Sequence, residues 1–463
     1  MKMELPTRES LKPLFEPKSV ALIGASHKLH KVGGALARNA LSSSFSGQIY
    51  PVNPNLKTLF GHRVYRDLNE VPEVVDLVEI AVPGSAVPRV LLEAAQKGVK
   101  AAIIVSSGFA EIGNFELQEE LAKISHRYGI RILGPNCFGL INTAVGLDLT
   151  FSFTQAIKGS ISFISQSGAM CCGTLDYAFQ KGIGFSKFIN LGNKCDVDEA
   201  DALIYLSEDP QTKAIALYIE GIRDGRRFMA AAKEASKNKP IIGIKAGLTE
   251  AGARAALSHT GSLANRKELV DAAFLQSGVV RVDDIEDLIG GALALAWQPP
   301  PRGTRIGIIT NAGGLGVTVA DWCQILDLKV PVFSEEMRSK LRAVLPEIAA
   351  TANPVDMTGD ADFDRYKAVS QILLESEEVD LLIAIFTSQG LVTSYGPAQA
   401  ISETANKTRK PVLAMLMGGS SIEQGRRILI QNEIPVYHFP EKIAIAAKAL
   451  TQLRSLRRHS SDK

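Results

Sequence analysis

The stretch RAALSHTGSLAN, from Arg254 to Asn265, sets His259 among small residues and hydroxyls. A buried helix would fill such positions with Leu or Val, and a metal site would need further His, Cys, Asp or Glu close by. The stretch offers neither. Two other stretches could hold an anion. In SQSGAM (165–170) and TNAGGLG (310–316) an apolar run meets a Gly turn and then a helical pattern. Backbone N–H groups and about half a unit of positive charge would therefore point outward at each helix start. One such turn could serve packing alone, because Gly permits close approach of strand and helix. Two, if their segments pack face to face, could converge on one dianion such as phosphate.

These stretches need elements to position them. Short β-branched runs alternate with amphipathic helical stretches along the whole chain, among them SVALIGA, DLVEIAVP, AAIIVSSG, SISFISQSG, AIALYIEG, PIIGIKAG, RIGIITNAGG and LLIAIFTSQG. That alternation predicts stacked βαβ units with parallel sheets. Nearly every run ends in Gly, Ser, Asn or Pro, and open α/β sheets bind ligands at those carboxyl ends. A chain of 463 residues exceeds one core, and about 150 residues per domain suggests three. Breaks at GLINTAVGLDLTFS (139–152) and WQPPPRGTR (297–305) place the domains at 1–145, 146–299 and 300–463, since three consecutive prolines cannot continue a helix.

The second and third segments read as copies of one fold. FISQSGAM answers IITNAGGL, GNKCDVD answers ANPVDMTGD, KPIIGIKAG answers KPVLAMLMGG, and LQSGVVRV answers IQNEIPVY, all in the same order. After the Lys-Pro run the first copy carries an insertion, LTEAGARAALSHTGSLANRKE, that the second lacks, and His259 sits inside it.

Composition excludes several classes. Lys plus Arg number 51 against 49 for Asp plus Glu, so no strong field draws nucleic acid or anionic lipid. The five cysteines (Cys137, Cys171, Cys172, Cys195, Cys323) form no CxxC pair, which fits a reducing compartment and suggests no metal site. Cys171 and Cys172, inside a helical pattern, read as packing residues rather than nucleophiles. The N-terminus lacks an apolar signal core and no run of 18 apolar residues occurs, so a cytoplasmic protein is expected, with no membrane partner.

The first segment opens SVALIGASHKLHKVGG, a strand and Gly turn suited to a nucleotide-bearing ligand, but a full GxGxxG is absent. Its second strand ends in Asn53-Pro54-Asn55 rather than the Asp or Glu that holds the ribose of NAD, which disfavours a nicotinamide dehydrogenase. Ligand-facing turns are expected at Gly24–His27, AVPGSA, SSGF and GPNCFG.

Together GPNCFG, SQSGA, GNKCDVDEADAL, YIEGIRD and KAGLTEAGARAALSHTGSLA resemble the α subunit of NDP-forming acyl-CoA synthetases, the ADP-forming acetate–CoA ligases of the succinyl-CoA synthetase superfamily. The resemblance spans essentially the whole chain. It implies a Rossmann-like CoA-binding domain followed by two flavodoxin-like, doubly wound parallel-sheet domains. It implies that acyl-CoA, ADP and phosphate become acid, ATP and CoA through an acyl phosphate and a phosphorylated His259. Glu220, ending AIALYIEG, resembles the carboxylate that orients the imidazole. Ser167, Gly168 and Ala169 resemble one phosphate-binding helix start, and Asn311, Ala312, Gly313 and Gly314 the other. CoA is expected across Gly24, Ala25, Ser26, His27, Val82, Pro83, Ser106, Ser107, Asn136 and Cys137, with Lys57 near its phosphates by approximate position. ADP or ATP (or GDP or GTP) and Mg would be held mainly by a separate ATP-grasp β subunit, two of each subunit assembling, because the three α-type domains use all 463 residues. GAMCCGTLDY departs from the GTLTYEA type of the succinate enzymes, which argues against succinate. The alternative on the same domains is a non-catalytic CoA-binding regulatory or scaffold protein.

Overall fold

A computed structural model describes residues 5–252, 254 and 267–461. Its first sheet is built from β1 (Ser19–Ile23), β2 (Gln48–Val52), β5 (Leu77–Ile80), β6 (Ala101–Ile104) and β7 (Arg131–Leu133), with β3 (Thr58–Leu59) and β4 (His62–Arg63) forming a separate small hairpin. Helices α1 (Arg8–Phe15), α2 (Val32–Ser42), α3 (Val87–Lys97) and α4 (Phe115–Tyr128) accompany it. The second sheet comprises β8 (Gly139–Asn142), β9 (Leu147–Thr150), β10 (Ile157–Ser165), β11 (Gly184–Asn190), β12 (Ala214–Ile219), β13 (Ile241–Lys245) and β14 (Val279–Arg281). Its helices are α5 (Gly168–Lys181), α6 (Glu199–Ser207), α7 (Gly225–Asn238) and α8 (Lys267–Gln276).

One compact unit ends at Arg281 and a second begins at Val282. The second unit opens with α9 (Ile285–Trp297) and contains β15 (Ile306–Thr310), α10 (Gly313–Ile325), α11 (Glu335–Arg342), β16 (Val355–Asp356), α12 (Phe363–Glu375) and β17 (Leu381–Thr387). It closes with α13 (Tyr395–Ala405), β18 (Val412–Met417), α14 (Glu423–Gln431), β19 (Val436–Tyr437) and α15 (Pro440–Ser461). Here α9, which precedes the Pro-rich stretch, is tied to this unit: the Tyr437 hydroxyl donates to Gly290 O at 2.8 Å, and Lys442 pairs with Asp284 and Asp287.

The strands run β2-β1-β5-β6-β7, β14-β13-β12-β10-β11-β8-β9 and β16-β15-β17-β18-β19. Counting the parallel strands in chain order, all three sheets follow 2-1-3-4-5, the flavodoxin-type doubly wound order. The switch points fall between β1 and β5, β10 and β12, and β15 and β17. Strands such as SVALI, IIGIK and IGIIT are buried along their full length, as parallel strands covered by helices on both faces must be. The paired stretches of the second and third segments fall on equivalent places in the two sheets: first strand and helix start, second-strand end, fourth strand and fifth strand.

The stretch 139–152, expected as a break, is instead a hairpin. Strands β8 and β9 pair antiparallel, and β8 continues the second sheet through Lys187↔Asn142, Phe188↔Ile141 and Ile189↔Leu140. All eight of its strand residues are buried, which is why it pairs rather than links. Asn39 of α2 donates to Thr150 O at 2.7 Å and Ser152 O at 2.8 Å, fastening the first sheet's helix to this edge. One core then runs through both sheets, from Leu22 and Ala37 to Leu203 and Leu217. Among the described residues no helix is long and apolar enough to cross a membrane.

Candidate functional site

At the first sheet the expected CoA residues all lie along one carboxyl edge. Gly24 follows β1 with φ +92°, and a β-carbon there would fall 2.4 Å from Ala81 O, so only Gly lets the β1 and β5 turns meet. Ala25 is buried, while the loop from His27 to Val32, with Lys28, His30 and Lys31, is exposed. That loop leads into α2, whose first turn has no side-chain cap and whose Gly34 and Ala35 amides bond Lys31 O, leaving the amides of Val32 and Gly33 and the positive helix end for an anion. Asn53 donates to Ala25 O at 2.8 Å, which uses the strand-2 polar side chain as a brace. Lys57 is exposed beyond that turn. The Ser106 hydroxyl donates to Val82 O at 2.6 Å, so it joins two turns, whereas Pro83 and Ser107 are exposed. In GPNCFG, Asn136 is exposed with φ +54°. Cys137 points the other way: its thiol donates to Ile104 O, and burial pushes its pKa up to about 12. Its main chain, not its sulfur, reaches the edge.

The second sheet's carboxyl edge abuts this one within the same unit. Asn193 N donates to Pro135 O and Cys195 N to Gly134 O, each at 2.9 Å, while Arg131 bridges Asp196 and Asp201. At the start of α5 the Ser167 hydroxyl accepts from Met170 N at 3.3 Å, leaving the amides of Gly168 and Ala169 as outward donors. Asn190, fully buried at the end of β11, lies beside Gly168.

Glu220 follows β12, and its peptide unit is held by side chains from other strand ends. The Gln166 carbonyl accepts from Glu220 N and, at 2.8 Å, from Gly221 N. The Lys194 ammonium donates to Gly221 O at 2.6 Å and pairs with Glu199 at 2.6 Å. The Lys245 ammonium, 4% exposed, donates to Glu220 O and Ala246 O, each at 2.7 Å. Burial lowers the pKa of Lys245; the Glu220 carboxylate pulls it back up and Lys194 pushes it further down.

In the second unit, Asn311 is committed to structure. Its side chain donates to Thr387 O at 2.9 Å and accepts from Thr387 N at 3.0 Å, joining the ends of β15 and β17. Ala312 N donates to the Thr310 hydroxyl at 2.9 Å. This leaves Gly313 and Gly314 as the outward amides. Here the two helix starts differ. A β-carbon on Gly313 would fall 2.5 Å from Asp356 Oδ2, whereas at Gly168 the corresponding neighbour is Asn190 Oδ1 at 3.9 Å. A carboxylate already complements the positive end of α10; a neutral amide stands at α5.

His259 lies outside the described residues. The flanking β13 ends at Lys245 on the carboxyl edge, beside Glu220. Cys171 is buried as expected of a packing residue, but Cys172 is exposed, because consecutive helical positions face about 100° apart. Among the described residues no cluster of three or more His, Cys, Asp or Glu could hold a metal ion. Sequence reasoning missed Gln166, Asn190, Lys194, Lys245 and Asp356. The available signal was a lysine closing the otherwise apolar run IIGIK.

Three family models match in succession: a CoA binding domain over 18–143, a succinyl-CoA ligase like flavodoxin domain over 158–295 and a ligase-CoA domain over 306–457. The α subunit of acetate–CoA ligase [ADP-forming] II from Pyrococcus furiosus is 44% identical, over 95% of this chain and 96% of that one. The acetate–CoA ligase [ADP-forming] of Methanocaldococcus jannaschii is 43% identical over 96% of this chain, which spans 63% of that longer relative. The solved structure of Ca. Korarchaeum cryptofilum dinucleotide forming acetyl-coenzyme A synthetase 1, in complex with phosphate and ADP, superposes with a TM-score of 0.92 at 37% identity, covering 98% of each chain.

Proposed function

The chain belongs to the family of ADP-forming acetate–CoA ligases, and we propose that it is the α subunit of such an enzyme, interconverting acyl-CoA, ADP and phosphate with acid, ATP and CoA. The acyl-CoA lies along the first sheet's carboxyl edge, its phosphates against the exposed His27–Lys31 loop and the start of α2, with Lys57 nearby. Phosphate is held at the start of α5 by the amides of Gly168 and Ala169 and the Ser167 hydroxyl, and attacks the thioester carbonyl. The C–S bond breaks, CoA leaves as the thiolate, and an acyl phosphate remains. Amides aimed at developing negative charge lower this barrier without reorganisation.

The imidazole of His259 then attacks phosphorus. A P–N bond forms, the P–O bond to the acyl group breaks, and the acid departs. The Glu220 carboxylate accepts the N–H of the other ring nitrogen, which selects the nucleophilic tautomer and stabilises the charge on the phosphorylated ring. An ATP-grasp β subunit, two of each subunit assembling, brings ADP and Mg to the phosphohistidine; transfer to the terminal phosphate of ADP regenerates the imidazole. The five free thiols suit a cytoplasmic setting.

The observation that carries this reading is that Glu220 stands on a fully braced turn at the carboxyl edge shared with the α5 start, where β13, the strand that precedes the His259 segment in the sequence, also ends. The test is reconstitution. ATP should form from acetyl-CoA, ADP and phosphate only when the purified chain is combined with an ATP-grasp partner. ATP synthesis by the chain alone, or none with the partner across a panel of acyl-CoA esters, would overturn the reading.

A further inference from the structure

The Glu220–Gly221 turn is over-determined. Both amides converge on the Gln166 carbonyl oxygen, the Glu220 carbonyl takes Lys245, and the Gly221 carbonyl takes Lys194. These three side chains come from after β10, after β11 and from β13, so the turn registers the position of three strand ends at once. Gln166 is itself fixed, donating to Glu199 at 2.6 Å and Gly221 O at 2.8 Å. Such bracing fixes the backbone from which the Glu220 side chain projects, and positioned groups lose activity when displaced by about 1 Å.

The two lysines differ in charge balance. Lys194 is matched locally by Glu199. The hydrogen bonds of Lys245 go to carbonyl oxygens, which an uncharged donor could satisfy. Burying an ammonium is costly unless a counter-charge compensates it. The carboxylate that acts on it is that of Glu220.

We propose that Gln166, Lys194 and Lys245 are positioning residues for Glu220, and that the Lys245 ammonium is the counter-charge that keeps the Glu220 carboxylate ionised beside the imidazole of His259. This inference rests on the role given to Glu220 above. Nearby, the Tyr218 hydroxyl is raised by burial and by Glu220, Lys194 is matched by Glu199, and the Arg223 guanidinium binds Lys194 O.

The test is the rate of protein phosphorylation by acetyl phosphate, read by rapid quench in the full assembly between about pH 5 and 8. Its acid limb reports protonation of the carboxylate–imidazole pair, as an apparent value belonging to both groups. Lys245→Met should move that limb upward by about one pH unit, because loss of a nearby positive charge favours protonation. Lys245→Arg should return it toward wild type. If Lys245→Met does not fold, Lys245→Gln, a neutral donor, should give the same shift. Gln166→Leu should lower kcat roughly tenfold or more with the KM for acyl-CoA unchanged. A limb unmoved in the neutral Lys245 variants overturns the proposal. Glu220→Gln separates the two readings: wild-type rate and limb there would overturn the role of Glu220, whereas a lowered or abolished limb beside an unmoved Lys245→Met limb would overturn only the counter-charge.

Discussion

Asn190 accepts a hydrogen bond from the amide of Phe138 at 2.6 Å and donates one to Ser165 O at 2.9 Å. One buried side chain thereby joins the GPNCFG turn, at the expected CoA edge, to the strand end that leads into α5. Asn190→Ala leaves the buried Phe138 amide without its partner, at a cost of about 1–3 kcal/mol, while Ser165 O keeps the bond from Leu191 N at 2.9 Å. The variant should melt several degrees lower and bind CoA more weakly by calorimetry. Wild-type CoA affinity in a folded variant would show that the turn does not depend on this tie.

Glu220→Gln preserves shape and the backbone bonds of the turn but removes the negative charge. Folding and CoA binding should be retained, while phosphorylation of His259 slows by roughly 10²-fold or more, the scale of a positioned acid–base partner. Unchanged rapid-quench kinetics would remove Glu220 from the mechanism.

His259→Ala should separate the two halves of the reaction. The assembled variant should yield no acid-labile, base-stable phosphoprotein and no ATP. Acyl transfer should persist, since its donors are the α5 amides and the CoA edge, and acetyl-CoA with phosphate should release a limited burst of thiol. ADP phosphorylation by the variant would refute the assignment. Loss of both halves with folding intact would give the histidine a part in phosphate binding as well.

Glu79 supplies a pH test inside the first unit. It is 1% exposed on β5, neither carboxylate oxygen has a hydrogen-bond partner, and burial, with Asp148 adding, raises its pKa to about 8. The folded chain therefore holds a proton that the unfolded chain releases near 4.5. The protonated group's contribution is fully present below that value and is lost as pH rises toward and past 8. Glu79→Gln removes this dependence. Its melting temperature relative to wild type should rise from pH 5 to pH 9, since each pH unit between the unfolded and folded values corresponds to about 1.4 kcal/mol. Parallel curves for the two proteins would show that Glu79 is ionised throughout.

The sequence alone carried the architecture and the outline of the site. Apolar runs closed by Gly, Ser, Asn or Pro marked parallel strands, because a strand covered on both faces leaves polar residues only at its end. The order of paired stretches revealed two copies of one fold, and Gly turns such as SQSGAM marked helix starts from local composition. Tertiary structure decided what depends on residues distant in the chain. Lys245 meets Glu220 across 25 residues, Phe138 meets Asn190 across 52, and Gln166 meets Glu220 across 54. No local pattern encodes those partners, since the order of strands in a sheet determines which ends are neighbours. The same holds for the 139–152 hairpin, whose pairing with β11 became visible only once that strand's edge was in place. It holds too for the unequal helix starts, where an aspartate in one sheet and an asparagine in the other set the local charge through packing.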